Sequence, residues 1–375
     1  MKPIFSALVF CASTLLAITP AELAIEQASA SITANPNRPE GYSALAFAYS
    51  RRARELSNVA YYDKALAAVE KSLALEAGNY DALKAKTWAL LGKHDFSGGL
   101  ILAQNLNKKM PDDLQVYGFL TDANLELGHY AEAEKAAQLM LDLRPGNVAG
   151  LTRGAYLREI FGDLDGAIDL MQQALRRLRP QEVEDQAWIL TQIGHLHLMR
   201  GEASKAERVL GSALKIFPDY PYTLATLGKA KVAQGQYEAA VELLRKSDKG
   251  ASRPENLYEV GVALHKGGKL DEAKTAFAEF EEAARKESNN PYNSNRELIF
   301  YYLDYADKAK EALRIAEREA ARRQDVFTLD AYAWALYKNG KTAEAKTQLK
   351  KALDVGVREP EMLARAAILG MALTQ

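Results

Sequence analysis

The sequence contains little cysteine, little histidine and almost no net charge. Its single cysteine, Cys11, lies in the apolar N-terminal segment, so a chain that has lost this segment has no thiol for a disulfide. The 48 Lys and Arg residues balance 49 Asp and Glu residues, giving a net charge of −1. This balance argues against the broad basic surface typical of nucleic-acid-binding proteins, so we expect no nucleic-acid partner.

The five histidines do not form a metal-binding motif. His195 and His197 are two positions apart and point about 200° from each other around a helix, so they cannot hold one ion from the same face. Gly267-Gly268-Lys269 lacks the Ser or Thr that follows the lysine of a phosphate-binding loop. Carboxylates cluster near turns, where they interact with helix N-termini. The sequence therefore predicts no catalytic, metal-binding or cofactor-binding residue and no small-molecule cofactor.

The N-terminus has the pattern of an export signal. Met1-Lys2 is followed by an apolar run over residues 3–18, with small residues suited to cleavage near Ala21 or Ala30. This run is shorter than the about 20 residues that span a bilayer, so an uncleaved anchor is the weaker alternative. Phe10 beside the cysteine disfavours lipid attachment. We expect an exported protein, periplasmic or secreted, that meets a membrane only through an uncleaved signal or a partner.

Six short segments repeat one pattern in which a glycine stands five residues before an alanine. A glycine that ends one helix, followed by a small residue where two helices cross, is typical of a helical hairpin. The small residues recur at intervals of about 34 residues, which indicates a solenoid of stacked hairpins. The segments begin at Gly128, Gly162, Gly201, Gly235, Gly268 and Gly340.

The first helix of each hairpin has an apolar face with steps of three, four and seven residues. Leu224, Leu227 and Gly228 give one example, and prolines such as Pro145 and Pro218 follow several second helices. These features resemble the tetratricopeptide repeat. The resemblance implies an all-α, right-handed superhelical solenoid of about nine hairpins with terminal capping helices, whose first helices line the concave side.

The resemblance divides the chain into four segments. They are a signal peptide (1–21), an N-terminal capping helix (22–38), the solenoid (39–359) and a C-terminal capping helix (360–375). Three departures from the repeat stand out. Residues 51–59 add length to the first hairpin and predict a protruding turn, residues 181–185 predict a longer helix or a bend, and the pattern weakens near Ala309.

Aromatic side chains recur at positions expected on the concave side. Because aromatic rings bind with a large area and few rotatable bonds, this set suits an extended peptide or protein segment. The alternative is that several rings pack between neighbouring first helices. The predicted groove residues are Phe47, Lys84, Trp88, Arg153, Tyr156, Trp188, His195, Tyr222, Lys229, Tyr258, Phe327, Trp334 and Tyr337.

A run of arginines near Pro180 allows two interpretations. Arg176, Arg177 and Arg179 end a predicted helix, where positive charge compensates the helix dipole. The same charges could also meet an acidic partner. The clamp for C-terminal carboxylates known in tetratricopeptide proteins cannot be assembled from adjacent repeats here, so recognition of an acidic C-terminus is not implied.

We expect a non-catalytic scaffold that binds a protein or peptide segment in a largely preformed concave groove, in the periplasm or cell envelope of a bacterium. Two alternatives remain open at this point. One is a self-associating component of an envelope assembly that uses the convex face and the C-terminal helix, since Met362, Leu363 and Ile368 make this helix apolar. The other is a regulatory subunit of an enzyme complex.

Overall fold

The computed structural model describes residues 18–251, 253–293 and 295–372, and every regular element in these ranges is an α-helix. The apolar segment with Cys11 lies outside the described residues. The described residues form twenty helices, of which the first and the last stand alone and the other eighteen make nine antiparallel pairs. None of the described helices combines the length and apolar character needed to cross a bilayer.

The nine pairs form the predicted solenoid. Their first helices are α2 (Pro39–Leu56), α4 (Tyr80–Gly92), α6 (Leu114–Leu127), α8 (Val148–Ile160), α10 (Val183–Met199), α12 (Pro221–Ala233), α14 (Pro254–Lys266), α16 (Asn295–Asp304) and α18 (Val326–Lys338). Their second helices are α3 (Ala60–Leu75), α5 (Phe96–Lys109), α7 (Tyr130–Leu143), α9 (Leu164–Arg177), α11 (Ala203–Ile216), α13 (Tyr237–Gly250), α15 (Leu270–Glu287), α17 (Ala309–Arg322) and α19 (Thr342–Val355). The flanking helices are α1 (Pro20–Ala34) and α20 (Pro360–Ile368).

Local sequence explains why the helices begin and end where they do. Side chains such as Asp113 and Asn147 accept hydrogen bonds from backbone N–H groups in the first turn of α6 and α8. The six glycines of the repeated pattern all adopt the left-handed conformation, with φ between +72° and +83°. Five residues later, alanines such as Ala133 and Ala206 are fully buried at the helix crossing. The repeated pattern therefore does encode the hairpin joint.

The hairpins stack so that their first helices form an inner layer. Each first helix packs on its own second helix, and first helices such as α4, α6 and α8 also contact one another along the stack. The inner layer turns successive hairpins about a common axis, which is the predicted superhelical solenoid.

The three irregular hairpins take different forms in the structure. Residues 51–56 continue α2 instead of forming a protruding turn, and only Ser57, Asn58 and Val59 connect it to α3. Near Ala309, α16 is the shortest first helix, and the left-handed joint residue is Asp307, with φ of +51°. The lengthened unit at residues 181–185 forms a longer helix, α10, as one of the two predicted possibilities allowed.

Distant hairpins touch along a regular line that we call the seam. Arg253 donates to the Ser57 hydroxyl and the Val326 N–H donates to the Tyr130 hydroxyl, and both contacts join residues 196 positions apart. Other seam contacts are the rings of His94 and Tyr292, whose centroids are 4.7 Å apart, and the backbones of Phe161 and Gly356. Because the offset stays nearly constant, the seam joins successive turns of one tightly wound coil. The repeat pattern in the sequence did not predict these contacts between distant hairpins.

The two terminal helices are tied to the solenoid in different ways. Thr19 caps α1, and both its hydroxyl and the Ala21 N–H donate to the carboxylate of Glu55, which is 1% exposed in α2. At the other end, Met362 of α20 is buried, whereas Ile368 is 57% exposed. The N-terminal helix is thus anchored by polar contacts with Glu55. The C-terminal helix is anchored both by the buried Met362 and by Arg365, whose guanidinium donates two hydrogen bonds to the fully buried Asp330 carboxylate.

Candidate functional site

The inner layer surrounds two adjoining cavities of about 1200 Å³ and about 770 Å³. We call this combined space the hollow. The residues that line both cavities belong to four consecutive first helices, α2, α4, α6 and α8. Residues of α10 and α18 also line the larger cavity. The residues common to both cavities are Arg54, Trp88, Asp122, Ala149, Arg153 and Tyr156.

Six of the thirteen predicted groove residues line the larger cavity. They are separated by up to 239 positions in the sequence and come together because their first helices face one axis. Each is only partly buried, so each retains surface for a ligand. These residues are Trp88, Arg153, Tyr156, Trp188, His195 and Phe327.

Three other predicted residues lie next to polar or aromatic partners near the inner layer. The ring of Phe47 lies 6.0 Å from that of Trp88, and Lys84 forms a 2.8 Å ion pair with Asp113, which lines the smaller cavity. Lys229 pairs with Glu259 at 2.8 Å. The attraction of Glu259 raises the pKa of Lys229, so this ammonium group stays charged.

Like these three residues, the remaining four predicted residues line neither cavity. Tyr258 packs against Phe277 and Phe280, and Tyr222 packs against Tyr220. Trp334 is 7% exposed, stacks on Tyr337 and donates its indole N–H to Asp304 at 2.9 Å. For Trp334 and Tyr258, packing between neighbouring helices describes the environment better than an open groove does.

A buried charge network crosses the hollow between α2 and α10. The Arg54 guanidinium lies 3.2 Å from the Glu184 carboxylate, and the Tyr220 hydroxyl donates to the same carboxylate at 2.6 Å. Glu184 and Tyr220 are fully buried, and Arg54 also lies 5.8 Å from the ring centre of Trp188. Closer to solvent, Arg51 pairs with Asp185 at 3.1 Å. We call these contacts the α2–α10 bridge.

Burial and pairing act in opposite directions on these groups. Burial raises the pKa of Glu184, while the positive charge of Arg54 opposes this rise. Burial also disfavours the charge on Arg54, but the nearby negative charge of Glu184 opposes burial, and the pKa of Arg54 is raised. At neutral pH Arg54 is therefore a fixed positive charge held inside the coil by Glu184.

One segment of the chain matches a known family by sequence. Residues 197–252, which cover the end of α10, the helices α11 to α13 and the connection to α14, match the family model described as Tetratricopeptide repeat. By sequence, the similarity to this family is limited to this segment. Because the other hairpins stack in the same way and most of them share its joint pattern, the described chain has the fold of a tetratricopeptide solenoid. Comparison with curated proteins gives no match.

Solved structures support the same tetratricopeptide fold. A chain of the APC/C hetero-tetramer Cut9–Hcn1 matches 91% of this chain with a TM-score of 0.54 and 16% identity. This match spans only 58% of the other chain. Human IFIT1, in a dimer with m7Gppp-AAAA, matches 88% of this chain and 85% of its own with a TM-score of 0.52 and 13% identity. At these identities the similarity shows the fold alone.

The tetratricopeptide pattern did not indicate several residues of the hollow. Arg54 belongs to the helical extension that breaks the repeat, so the extra length of the first hairpin was the only signal. Arg144 directly follows α7, outside the predicted inward-facing positions, and Arg177 was indicated only by the arginine run that could meet an acidic partner. The acidic partners Asp185 and Glu159 come from positions where carboxylates are usually solvated. A repeat alignment therefore identifies the aromatic residues of the hollow better than its charged residues.

Proposed function

We propose that this chain is a non-catalytic scaffold that binds a protein or peptide segment in its hollow. The tetratricopeptide fold itself suggests a role in protein–protein interaction. The observation that supports a site inside the coil is the set of partly exposed aromatic residues, Trp88, Tyr156, Trp188 and Phe327, around a cavity of about 1200 Å³. Such rings are typical anchors of protein interfaces.

The hollow is held in shape before any ligand arrives. Arg153 pairs with Asp122 and donates to the Gly118 carbonyl at 3.1 Å, and His195 lies 3.0 Å from Glu159. Because these contacts fix side chains of neighbouring first helices, binding needs little further ordering of the protein. Less of the binding free energy is then lost to conformational entropy.

The charges of the hollow favour a peptide over a nucleic acid. One structural neighbour, IFIT1, was solved with m7Gppp-AAAA, so RNA is the alternative ligand to compare with a peptide. Here four carboxylates, those of Asp122, Glu159, Glu182 and Asp185, line the larger cavity. Five arginines line it as well, so the cavity lacks the large excess of positive charge on which binding of a phosphate backbone depends.

We also propose that the chain is exported and acts at the cell envelope, on the basis of the N-terminal sequence. Cleavage after Ala21 leaves Glu22 as the first residue and removes Thr19, which caps α1 and contacts Glu55. Mass spectrometry of the chain isolated from a periplasmic fraction would test this. A start at Glu22 supports the proposal, and a full-length chain recovered from the cytosol contradicts it.

Site-specific photo-crosslinking tests the location of the binding site. A crosslinking amino acid replaces Gln192, which lines the larger cavity, or Gln172, which is exposed on the second helix α9 and does not line it. We expect the Gln192 position to capture a partner and the Gln172 position to capture none. The captured segment is then synthesised and titrated against the wild type and Trp188→Ala.

We expect Trp188→Ala to weaken this binding by about 1–3 kcal/mol, because the ring is an anchor at the cavity wall. Equal capture at both positions, or an unchanged affinity in Trp188→Ala, would overturn the proposal.

Self-association is the second candidate function, and the exposed Ile368 on α20 favours it. Light scattering of the wild type and Ile368→Gln distinguishes the two. A stable oligomer that Ile368→Gln converts to a monomer supports assembly through α20, whereas a monomer in both cases leaves the hollow as the binding surface.

A further inference from the structure

Most charges inside the hollow are already neutralised by partners on the protein. Arg153 pairs with Asp122, Arg54 with Glu184 and Asp185, and Arg179 with Glu182 at 3.3 Å. A ligand charge that approached these groups would have to displace an existing partner. The preference of the hollow for a ligand of one charge sign therefore depends on charged side chains that have no such partner.

Two arginines at the rim of the larger cavity have no carboxylate within ion-pair distance in the described part of the chain. Arg144 directly follows α7, and Arg177 is the last residue of α9. Both line the cavity and are exposed. In contrast, Arg176 is also exposed but does not line the cavity. The two rim arginines therefore add positive charge to the opening of the cavity that the protein itself does not neutralise.

The backbone brings these two side chains to the same turn. Gly146 lies two residues after Arg144 and has φ of +71°. The guanidinium of Arg177 packs over it, since an added Cβ at Gly146 would lie only 3.1 Å from an Arg177 nitrogen. Arg177 thus lies across the turn that carries Arg144.

Apolar surface borders this pair of charges. Val148 and Trp188 line the same cavity and are partly exposed, and both pack on one apolar cluster together with Leu178, the residue after Arg177. A ligand that places an anionic group at the rim can therefore place a neighbouring apolar group against this wall. Both contacts use the same end of the cavity.

We propose that the segment bound in the hollow carries an Asp or Glu side chain next to an apolar or aromatic one, and that the acid pairs with Arg144 and Arg177. This inference rests on the proposed function and specifies its ligand. The apolar contact supplies most of the affinity. Exposed ion pairs contribute about 0.2–1 kcal/mol each, so the arginines mainly select the ligand and make binding sensitive to salt.

A random dodecamer peptide library displayed on phage tests this preference. It is panned against the wild type, the double variant Arg144→Glu/Arg177→Glu and the control Arg176→Glu. We expect the wild type and the control to enrich peptides with an acid beside an apolar residue, and the double variant to lose them. All three arginines are exposed, so the circular dichroism and melting temperatures should agree among the proteins.

The most enriched peptide is then synthesised together with a version in which each Asp or Glu is changed to Asn or Gln. We expect the amide version to bind wild type about 3- to 10-fold more weakly at low salt, and the two to converge at high salt, because salt screens exposed pairs. An amide version that binds within twofold of the acidic one at low salt overturns the inference.

The same titrations separate this inference from the proposed function. If the peptides bind Trp188→Ala more weakly than wild type but show no preference for an acidic residue, the result supports the site in the hollow and contradicts the role of the arginines. If Trp188→Ala binds the peptides as tightly as wild type does, or if panning enriches no peptide, both the proposed function and this inference are wrong. A 5′-phosphorylated oligoadenylate is titrated in the same way. If it binds more tightly than the acidic peptide and depends equally on Arg144 and Arg177, the ligand of the hollow is RNA and not a peptide.

Discussion

Trp88 and Trp334 occupy equivalent positions in the repeat alignment, yet they have different surroundings. Trp88 is half-buried and lines both cavities of the hollow. Trp334 is 7% exposed and bonded to Asp304 on the preceding first helix. A repeat position therefore fixes the direction of a side chain but not what covers it.

The difference predicts opposite consequences for stability. Trp334→Ala should lower the free energy of unfolding by about 3–5 kcal/mol, because it leaves a cavity in a packed cluster. Trp88→Ala should lower it by only about 1–2 kcal/mol. Urea unfolding followed by circular dichroism measures both. Equal losses for the two variants would show that Trp88 is a core residue and weaken the case for a ligand site.

Glu126 lies at the seam and should make stability depend on pH. Burial and the nearby Asp325 raise the pKa of its carboxyl to about 7, while Arg323, 3.6 Å away, opposes the rise. The folded chain holds a proton that the unfolded chain releases near pH 4.5. The folded state is therefore progressively destabilised as pH rises from about 4.5 to about 7.

Glu126→Gln removes this titration and keeps an acceptor for the Tyr156 hydroxyl. We expect the variant to gain about 1–2 kcal/mol over wild type between pH 5 and pH 7.5, a value reduced for the partial exposure of the carboxyl. Urea unfolding of both proteins at the two pH values measures the gain. A difference that stays constant with pH would contradict the assigned shift.

At the scale of elements, the two longest departures from the repeat meet each other. The extension of α2 supplies Arg51 and Arg54, and the lengthened start of α10 supplies Glu184 and Asp185. The sequence shows both insertions, but nothing in it pairs them, because they lie about 130 residues apart. Their charges are complementary only once the inner layer has curved.

The bridge gives a prediction with an internal control. Arg54→Ala should destabilise the fold by about 2–3 kcal/mol, because it leaves the fully buried Glu184 without its cation. Arg51→Ala breaks a pair in which each side chain is about one-third exposed, so it should cost under about 1 kcal/mol. Chemical denaturation measures both variants.

A double variant completes the cycle for the bridge. Arg54→Ala with Glu184→Gln should recover part of the loss, since the remaining side chain carries no buried charge. If the two single changes add without recovery, Arg54 does not act through Glu184.

At the scale of the molecule, the seam decides the shape of the coil. Gly128 and Gly201 occupy the same joint position, with φ of +83° and +72°. An added Cβ at Gly128 would lie 2.6 Å from the Gln324 carbonyl oxygen across the seam, whereas at Gly201 no atom lies within 4 Å. The same residue thus has a purely local role in one hairpin and a long-range role in another.

Gly201→Ala should lower the free energy of unfolding by about 1–2 kcal/mol, because alanine is strained in the left-handed conformation. Gly128→Ala should cost about 3 kcal/mol or more, because the seam must also open. Small-angle scattering should show a larger radius of gyration for Gly128→Ala alone. The seam would have no role in holding the coil closed if both variants were equally stable and equally compact.

The sequence by itself determined the hairpins and their number. Each of these follows from short-range chemistry: a left-handed glycine, a small residue at a crossing and an apolar face with helical spacing. Aromatic residues such as Trp88 and Trp188 could be assigned to the inner side on the same basis.

Only the tertiary structure decided which inward residues remain open, which charges pair across the hollow and how closely the turns of the coil approach. Small rotations between neighbouring hairpins accumulate along the stack, and their sum brings Tyr130 to Val326 at an offset of 196 residues. No local pattern specifies that sum, because it depends on how every pair of adjacent helices packs.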